Sequence, residues 1–385
     1  MTERRSVVAT LLTSSALAAL AVAALTPFAC SGDAASQPTQ GPAPGPNVGP
    51  TPTPPTPTAP NGDVHLFKRS RPMMGTIYEI TVAGETDAHA APAVQAALAE
   101  IQRLETILSE WRNDSEISRV NAGAGNGQPV HVGPDTLAVV KAGIDVSRWS
   151  DGAFDLSWAA LRGLYTFQPD NHHVPTDREL RTRVRLIGWR DIVLDEAAST
   201  IMLRRAGMAI GTGGIAKGYA LDRASEILER AGMQSFMLFG GGQVQVHGLR
   251  GDRAWRVGIQ HPRTNDYVAF LEASEGSIST SGDYEHFFID GRGRRWHHII
   301  DPRTGRPVPH TASVSVLAPR GLYADALSTA VFVLGAQRGI AMLATLPFHA
   351  EAVVISADGT MHYSPGTRER LRWHLDVQND RISMQ

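Results

Sequence analysis

The sequence reads Gly211-Thr212-Gly213-Gly214-Ile215-Ala216-Lys217-Gly218-Tyr219 where a strand-like run at 201–210 passes into a predicted helix at 217–231. Glycines let the backbone approach a ligand closely, and the N-terminus of a helix favours a phosphate group. Lys217 adds a point charge at the same place. The stretch is neither a Walker A loop nor a GxGxxG fingerprint. It therefore indicates either a phosphate-binding turn or an ordinary tight turn with an exposed lysine.

Predicted strands and helices are intermixed on both sides of this stretch. Tyr78, Ile80 and Val82 alternate with polar residues as in a half-buried strand, and residues 90–110 have an amphipathic helical pattern. Further helices are predicted at 135–149, 177–187, 217–231 and 325–345, and strand-like runs at 192–203, 235–247, 255–260, 268–280, 313–317 and 352–357. Because no regular βαβ alternation is present, the pattern predicts the α+β class.

A candidate metal site lies at the predicted start of a helix, where the chain reads Asp325-Ala326-Leu327-Ser328-Thr329. Residues four apart share one face of a helix, so Asp325 and Thr329 present two oxygen ligands together. Mg²⁺ prefers oxygen ligands and commonly takes one or two carboxylates plus substrate phosphates. The structural alternative is that Asp325 is the N-cap of the helix.

Two candidates for a general base are Asp283, within Thr280–Tyr284, and His298, which begins the run His298–Gly305. An imidazole titrates near neutral pH and suits proton transfer, although a structural histidine explains the same pattern. The neighbouring His297 and His298 would face opposite sides of a strand, so at most one of them enters a given site. The pairs His297/His298 and His172/His173 could suggest zinc, but nothing else at zinc-binding spacing accompanies them.

Three further segments suit a flat aromatic ligand. They contain Met74 before the first strand, Trp111 at the end of the helix at 90–110, and the turn Ala153–Asp155 with its central Phe154. A polarisable methionine and aromatic rings pack well against an isoalloxazine or adenine ring. They suit a hydrophobic core equally well.

Composition and charge restrict the class of protein. The chain has 385 residues, is 42% hydrophobic and 19% charged, and has a net charge of −2. This composition is typical of a globular protein, and the lack of a basic excess argues against nucleic acid as a partner. The lone cysteine, Cys30, excludes an internal disulfide and any multi-cysteine metal site.

The N-terminal segment has the pattern of an export signal followed by a tether. Two arginines and an apolar stretch occupy residues 4–25, and Cys30 follows. A cysteine after a small residue at this point is similar to the lipobox of bacterial lipoproteins, which predicts a signal over 1–30 and a lipid anchor at Cys30. An uncleaved anchor or cleavage nearby are the alternatives. Residues 31–62, rich in Pro, Thr and Gly, predict a disordered tether, and a folded domain follows over 63–385.

Seven motifs, in this order, resemble those of the ApbE family, the FAD:protein FMN transferases. The resemblance extends from Met73 to about Gly335, nearly the whole predicted folded part. The motifs are Met-Gly-Thr at 74–76, Trp-Arg-x-Asp-Ser-Glu-Ile-Ser-Arg at 111–119, Gly-Ala-Phe-Asp at 152–155, Gly-Gly-Ile-Ala-Lys-Gly-Tyr-Ala at 213–220, Thr-Ser-Gly-Asp-Tyr at 280–284, His-Ile-Ile-Asp-Pro-Arg-Thr-Gly at 298–305 and Asp-Ala-Leu-Ser-Thr at 325–329.

The resemblance implies a two-lobed, T-fold-related α+β architecture with FAD in the cleft between the lobes. It implies that Mg²⁺ is bound by the side chains of Asp325 and Thr329 and by the backbone carbonyl of Gly214. The residues expected to contact FAD are Met74, Trp111, Ala153, Phe154, Asp155, Gly211, Lys217, His298 and Ile299.

The implied activity is transfer of FMN from FAD onto a Thr or Ser hydroxyl of an acceptor redox protein, with release of AMP. Mg²⁺ would offset the phosphate charge, and His298 or Asp283 would take the hydroxyl proton. Such an enzyme would act as a lipoprotein on the periplasmic side of a bacterial membrane. The alternatives are an FAD pyrophosphatase that uses water and a flavin-binding lipoprotein without turnover. The oxygen ligands Asp325 and Thr329 argue against the second, because binding alone needs no metal.

Two segments depart from the family pattern. Gly211 stands where the family usually has an acidic residue that contacts FAD, so one expected hydrogen bond is missing. The run Leu156-Ser157-Trp158-Ala159-Ala160-Leu161 also differs from the commoner version. Both departures lie at the presumed FAD site and predict altered flavin contacts or weak transfer.

Overall fold

Helices and strands are spread over the described part of the computed structural model, which comprises residues 64–168, 171–375, 377 and 379–384. The predicted signal, Cys30 and the predicted tether lie outside the described residues. The helices are α1 (Asp87–Leu108), α2 (Glu116–Ala122), α3 (Pro134–Trp149), α4 (Asp177–Val184), α5 (Ala216–Arg230), α6 (Gly321–Leu334), α7 (Ala336–Leu343) and α8 (Thr367–Arg370). The strands are β1 (Leu66–Met73), β2 (Thr76–Ala83), β3 (Val130–His131), β4 (Thr166–Gln168), β5 (Asn171–His173), β6 (Ile192–Asp195), β7 (Thr200–Leu203), β8 (Phe236–Gly240), β9 (Gln243–His247), β10 (Trp255–Gln260), β11 (Tyr267–Ala273), β12 (Glu275–Gly282), β13 (Phe287–Ile289), β14 (Arg295–His297), β15 (Ile300–Asp301), β16 (Arg306–Pro307), β17 (Thr311–Ala318), β18 (Glu351–Ser356), β19 (Met361–Tyr363) and β20 (Leu371–Trp373).

The largest sheet has eight antiparallel strands in the order β1-β2-β8-β9-β12-β17-β18-β19. Its inner strand β17 contributes Val314 and Val316 to one hydrophobic cluster, whereas Leu317 packs against another. Successive side chains of a strand point to opposite faces, so the sheet separates the two clusters. Helices α1, α3, α5 and α6 contribute to the first cluster, and strands β10, β11 and β20 to the second.

Helices α5 and α6 cross with their backbones in direct contact. A Cβ atom on Gly218 would lie 1.9 Å from the carbonyl oxygen of Gly321, so any side chain at 218 would collide with α6. The carboxylate of Asp222 accepts hydrogen bonds from the backbone N–H groups of Gly321 at 2.6 Å and Leu322 at 3.0 Å. Burial raises the pKa of Asp222 to about 6. The crossing therefore places Lys217, on α5, beside α6.

The helix predicted at 325–345 is wrong in its bounds, because the segment forms two helices with an earlier start. Gly335, between α6 and α7, has φ 76°, a left-handed conformation that ends a helix and favours glycine. The N-cap of α6 is Arg320. The alternative in which Asp325 caps this helix is therefore wrong, since Asp325 lies in the second turn.

Two of the strand-like runs are hairpins. The run at 192–203 forms β6 and β7, and the run at 235–247 forms β8 and β9. Gly241 and Gly242 make the second turn with φ 55° and 84°, which suits glycine. The described residues belong to one compact unit, so the two-lobed arrangement stays a prediction. Within the described ranges, no helix is both long and apolar enough to cross a membrane.

Candidate active site

Asp325 lies at the crossing of α5 and α6 and is 5% exposed. Its Oδ2 accepts a hydrogen bond from the backbone N–H of Gly218 at 3.0 Å, and its Oδ1 lies 3.6 Å from Nζ of Lys217. Lys217 also donates a hydrogen bond to the carbonyl oxygen of Gly213 at 2.7 Å. One oxygen of Asp325 is thus held by the backbone, while the other faces a positive charge.

Gly214 and Thr329 lie side by side next to the ring of Phe154. A Cβ atom on Gly214 would be 3.6 Å from Oγ1 of Thr329 and 3.3 Å from Cε2 of Phe154. Ser281, to which the sequence analysis gave no role, places its Oγ 3.4 Å from the same Thr329 oxygen. Because Gly214 has no side chain, its backbone lies close to the hydroxyl group of Thr329 on α6.

Oxygen ligands from α6 and from the segment Gly211–Gly214, which we call the glycine turn, are brought together here. They comprise the Asp325 carboxylate, the Thr329 hydroxyl and the backbone of Gly214. Mg²⁺ prefers such ligands and usually completes its coordination with water and substrate phosphates. Over the described ranges, no group of three or more His, Cys, Asp and Glu side chains could hold a metal. The donor set of a carboxylate, a hydroxyl group and a backbone carbonyl fits Mg²⁺.

The adjacent histidines have different surroundings. His297 ends β14, is 3% exposed, and has its Nε2 2.8 Å from the carbonyl oxygen of Val308, so it is structural. His298 follows the strand with a solvent-exposed side chain. Desolvation by the surrounding protein, and then the charges of His286 and His297, lower the pKa of His298 to about 3. The imidazole is therefore neutral at pH 7.

Asp283 is held in a buried ion pair. Nη1 of Arg263 lies 2.6 Å from Oδ1 and Nη2 lies 2.9 Å from Oδ2, while Nε of Arg295 is 3.7 Å from Oδ2. The residue is 4% exposed. A bidentate Arg–carboxylate pair is among the strongest protein hydrogen bonds, and here it occupies both oxygens of Asp283. The geometry favours His298 over Asp283 as a proton acceptor.

Met74 is hydrogen-bonded to Tyr78. The Tyr78 hydroxyl donates a hydrogen bond to Sδ of Met74 at 3.1 Å, and Glu105 accepts one from the Met74 backbone N–H at 2.7 Å. Burial, and then the negative charge of Asp325, raise the pKa of Tyr78. Met74 itself has φ 49°, a conformation that a non-glycine residue seldom adopts. Met74 therefore lies near the metal-binding candidates in a strained turn.

Trp111 lies on the surface with 73% of its area exposed. The guanidinium group of Arg162 lies over the indole ring at 4.7 Å, within the range of a cation–π contact. Nη2 of Arg162 is also 3.2 Å from Oε1 of Glu110, which is 7% exposed. Burial raises the pKa of Glu110, and Arg162 opposes this shift. The alternative in which Trp111 closes the core is wrong.

The remaining residues expected at the flavin site are largely engaged within the fold. Asp155 accepts hydrogen bonds from the backbone N–H groups of Ser157 at 2.8 Å and Trp189 at 2.9 Å. Ala153 and Ile299 are buried in the hydrophobic core. Contact of these two residues with a ligand would therefore involve their backbones.

Comparison with known proteins identifies the family. Residues 74–354 match the model of the ApbE family. The chain belongs to the ApbE family. An FAD:protein FMN transferase from Treponema pallidum (strain Nichols) is 34% identical over 331 residues, which cover 80% of this chain and 90% of the relative. Another, from Vibrio cholerae serotype O1, is 31% identical over 312 residues, 79% of this chain and 91% of the relative.

Solved ApbE structures have the same fold. The ApbE protein of Thermotoga maritima has a TM-score of 0.73 and 28% identity, with 80% of this chain and 99% of that chain covered. The flavin transferase ApbE from Vibrio cholerae has a TM-score of 0.71 and 30% identity, with the same coverage. The predicted ApbE family and the α+β class are confirmed.

Residues from four ApbE motifs meet in the candidate site. They are Phe154, the glycine turn together with Lys217, the residue Ser281, and the pair Asp325 and Thr329 on α6. Glu110 and Tyr78 also contact this region but lie outside the quoted motifs. The alternating pattern of the first predicted strand includes Tyr78, whereas nothing in the sequence near Glu110 indicates its contact with the glycine turn.

Proposed function

We propose that this ApbE-family protein is an FAD:protein FMN transferase that moves the FMN half of FAD onto a Thr or Ser hydroxyl of an acceptor protein. The named relatives support flavin transfer to a protein. The observation that carries the proposal for this chain is the buried carboxylate of Asp325, which faces Lys217 and shares a helix face with Thr329. This is an arrangement for a cation and phosphate oxygens, and FAD contains a pyrophosphate.

The residues that would hold Mg²⁺ are Asp325, Thr329 and Gly214, the last through its carbonyl oxygen. When bound, the ion would offset the negative charge of the phosphoryl group and of the leaving AMP. Lys217 lies beside Asp325 and would bind phosphate oxygens from the same side. The buried position of Asp325 limits access of water, which strengthens its interaction with a cation.

In the transfer step, the hydroxyl oxygen of the acceptor forms a bond to the phosphorus of the FMN phosphate. The bond from that phosphorus to the bridging oxygen breaks, and AMP leaves with this oxygen. His298 would take the hydroxyl proton, because its lowered pKa keeps the imidazole neutral at pH 7. Asp283 would fix Arg263 and the end of β12, because both of its oxygens are paired.

We also propose that the protein is exported and anchored by a lipid at Cys30 on the periplasmic side of a bacterial membrane. The support is the sequence pattern of residues 1–62. The acceptor would be a redox protein that presents a Thr- or Ser-containing segment. Replacement of Cys30 by Ser should move the protein from the membrane fraction to the soluble periplasmic fraction. Unchanged membrane association would contradict the lipid anchor.

The test of transfer is incubation of the protein with FAD, Mg²⁺ and a flavin-acceptor domain. We expect covalent flavin fluorescence on the acceptor in a denaturing gel, equimolar release of AMP, and loss of both with EDTA. AMP without a labelled acceptor would indicate a pyrophosphatase. Bound FAD with neither product would leave a flavin-binding protein and refute the transferase.

A further inference from the structure

The C-terminal end of α1 and the segment that follows it are joined to the glycine turn by side-chain hydrogen bonds. Oγ1 of Thr212 donates to the carbonyl oxygen of Leu108 at 2.7 Å. The backbone N–H of Thr212 donates to Oε2 of Glu110. Nη1 of Arg162 donates to the carbonyl oxygen of Glu110 at 3.1 Å. The position of the turn therefore depends on a segment about a hundred residues earlier in the chain.

The carboxylate of Glu110 lies almost entirely inside the protein. Glu110 is 7% exposed, and the backbone N–H groups of Thr212 and Gly213 both stabilise its negative charge. Arg162 completes the set of partners. A buried carboxylate is costly unless it is paired and hydrogen-bonded. Here two of the partners are consecutive amides of the turn that leads to Gly214.

Gly211 is the position that makes room for this carboxylate. A Cβ atom at 211 would lie 2.6 Å from Oε2 of Glu110, 3.0 Å from Nε1 of Trp158 and 3.1 Å from Cβ of Ala159. The first distance is too short for any real contact. The glycine is therefore required for space, because the carboxylate of residue 110 occupies the volume that a side chain at 211 would need.

We propose that Glu110 is a positioning residue of the active site. Its carboxylate holds the glycine turn in place through hydrogen bonds, and Gly211 has no side chain because the carboxylate occupies that space. The inference rests on the proposed function. Gly214 follows the two amides that Glu110 binds and adjoins Thr329. Displacement of the turn would move Gly214 relative to Thr329, and with it one of the expected ligands of Mg²⁺.

The two departures from the family pattern are thereby parts of one arrangement. Gly211 lacks an acidic side chain, yet an acidic group from residue 110 lies against it. Trp158 and Ala159 belong to the second departing segment, and they close the same space. The glycine turn of this chain therefore still has a carboxylate beside it, but that carboxylate belongs to Glu110 and not to residue 211.

The experiment uses the full chain and compares Glu110→Ala and Glu110→Gln with Glu351→Ala. Glu351 is a matched control, because it is also 7% exposed and paired with an arginine, Arg370, but lies on β18. For each variant we would measure the melting temperature, the Kd for FAD in EDTA, and the Mg²⁺ concentration for half-maximal AMP release at saturating FAD. The last quantity reports on the metal site and not on stability alone.

We expect Glu110→Ala to raise the half-maximal Mg²⁺ concentration at least about tenfold, the scale seen when a residue that supports a metal ligand is lost. Glu110→Gln keeps one acceptor oxygen for the Thr212 amide and should lie between Glu110→Ala and the wild type. Glu351→Ala should lower the melting temperature and leave the Mg²⁺ requirement unchanged.

A double-mutant cycle with Gly211→Ala provides a second test that does not depend on one variant folding well. Alone, Gly211→Ala should reduce AMP release and lower the melting temperature, because its Cβ collides with Glu110. In the Glu110→Ala background the collision with Oε2 is absent, so the same substitution should be less harmful. Gly291→Ala is the control for the glycine change, since nothing lies within 4 Å of a Cβ there.

Strictly additive effects of Glu110→Ala and Gly211→Ala, with a normal Mg²⁺ requirement in Glu110→Ala, would overturn the proposal. Glu110 would then be a structural residue like Glu351. Failure of the proposed function is a different result, because the wild type itself would then release no AMP and label no acceptor.

Discussion

The two ends of the candidate site are built in different ways. At one end, which we call the metal end, Asp325, Thr329 and Gly214 are held by α6 and the glycine turn, and Asp325 is 5% exposed. At the other, the flavin end, Trp111 is 73% exposed and is held by one cation–π contact with Arg162. The metal end is fixed by the close backbone contact of α5 with α6 and by side-chain hydrogen bonds to backbone amides, whereas Trp111 at the flavin end is held by a single side-chain stacking contact.

This difference indicates that the metal end serves the reaction at phosphorus and the flavin end serves the binding of FAD. Chemistry at phosphorus needs charges placed within fractions of an ångström, and backbone contacts such as that between Gly218 and Gly321 supply this precision. Binding of a large ring needs an open surface that side chains can complete on arrival. Changes at the metal end should therefore affect turnover, and changes at the flavin end should affect affinity for FAD.

The largest effect is expected for Asp325→Ala. Loss of the only carboxylate of the proposed donor set should lower AMP release by at least about 10³-fold, the upper range for removal of one group that stabilises a transition state. Binding of FAD in EDTA should change little, because the flavin end is intact. Both quantities are measured with purified protein by AMP release and by quenching of flavin fluorescence.

Asp135→Ala is the matched control for this change. Asp135 is also buried, at 8% exposure, and is bonded to Tyr219 and Arg103 away from α6. It should lower the melting temperature while turnover persists. If Asp325→Ala kept wild-type turnover, the metal end would be misassigned and the comparison between the ends would fail.

The next effect is expected for His298→Ala, which should lower FMN transfer by about 10²-fold, the lower range for loss of a general base. His297→Gln is the control on the adjacent residue. It loses a buried contact to Val308 and should reduce stability more than transfer. Equal losses of transfer in the two variants would show that His298 acts through the structure.

The pH dependence sharpens the assignment of His298. Its pKa is lowered to about 3, first by desolvation, so the imidazole stays neutral as the pH falls from 7 through the ordinary value near 6.5. Such an imidazole is a weaker base than an ordinary histidine, but it stays unprotonated over this range, so the acid limb of kcat should lie well below pH 6.5. A limb at pH 6.5 that disappears in His298→Ala would show a histidine with an ordinary pKa and contradict the desolvated site.

A change at the helix crossing should act on stability first. Gly218→Ala places a methyl group 1.9 Å from the Gly321 carbonyl oxygen, so α5 and α6 must separate. We expect a loss of at least about 3 kcal/mol in the free energy of unfolding, the upper end for overpacking. Gly291→Ala, at an open position, is the control for thermal or denaturant unfolding. A fully stable Gly218→Ala variant would contradict backbone fixation of the metal end.

The sequence indicates that Asp325 and Thr329 share one face of a helix, because their spacing of four is a local property of that helix, and both residues lie on α6. Their role as ligands of Mg²⁺ stays a prediction. The start of that helix was misplaced, because Gly321 begins it through a contact with Gly218, about a hundred residues away. Local propensity does not contain such a contact.

The contact of Glu110 with Thr212 is separated by 102 residues and was missed for the same reason. Gly211 could be recognised as a departure from the family pattern, but the group that fills the adjacent space could only be found in three dimensions. Likewise, the sequence offers Asp283 as a candidate base, and only the fold shows that both of its oxygens are paired with Arg263. Sequence patterns do not determine the role of a residue when that role depends on a partner far away in the chain.

The smallest effect is expected for Trp111→Ala at the flavin end. An exposed aromatic ring that stacks on a ligand contributes about 1 kcal/mol, and this corresponds to a roughly fivefold weaker Kd for FAD. Turnover at saturating FAD should be preserved, because Trp111 is held by Arg162 and has no part in the metal end. Trp111→Phe retains a ring over which the guanidinium can lie and should recover part of the affinity. If Trp111→Ala instead reduced turnover at saturating FAD without changing the Kd for FAD, Trp111 would contact the acceptor protein. The flavin end would then bind the acceptor and not FAD.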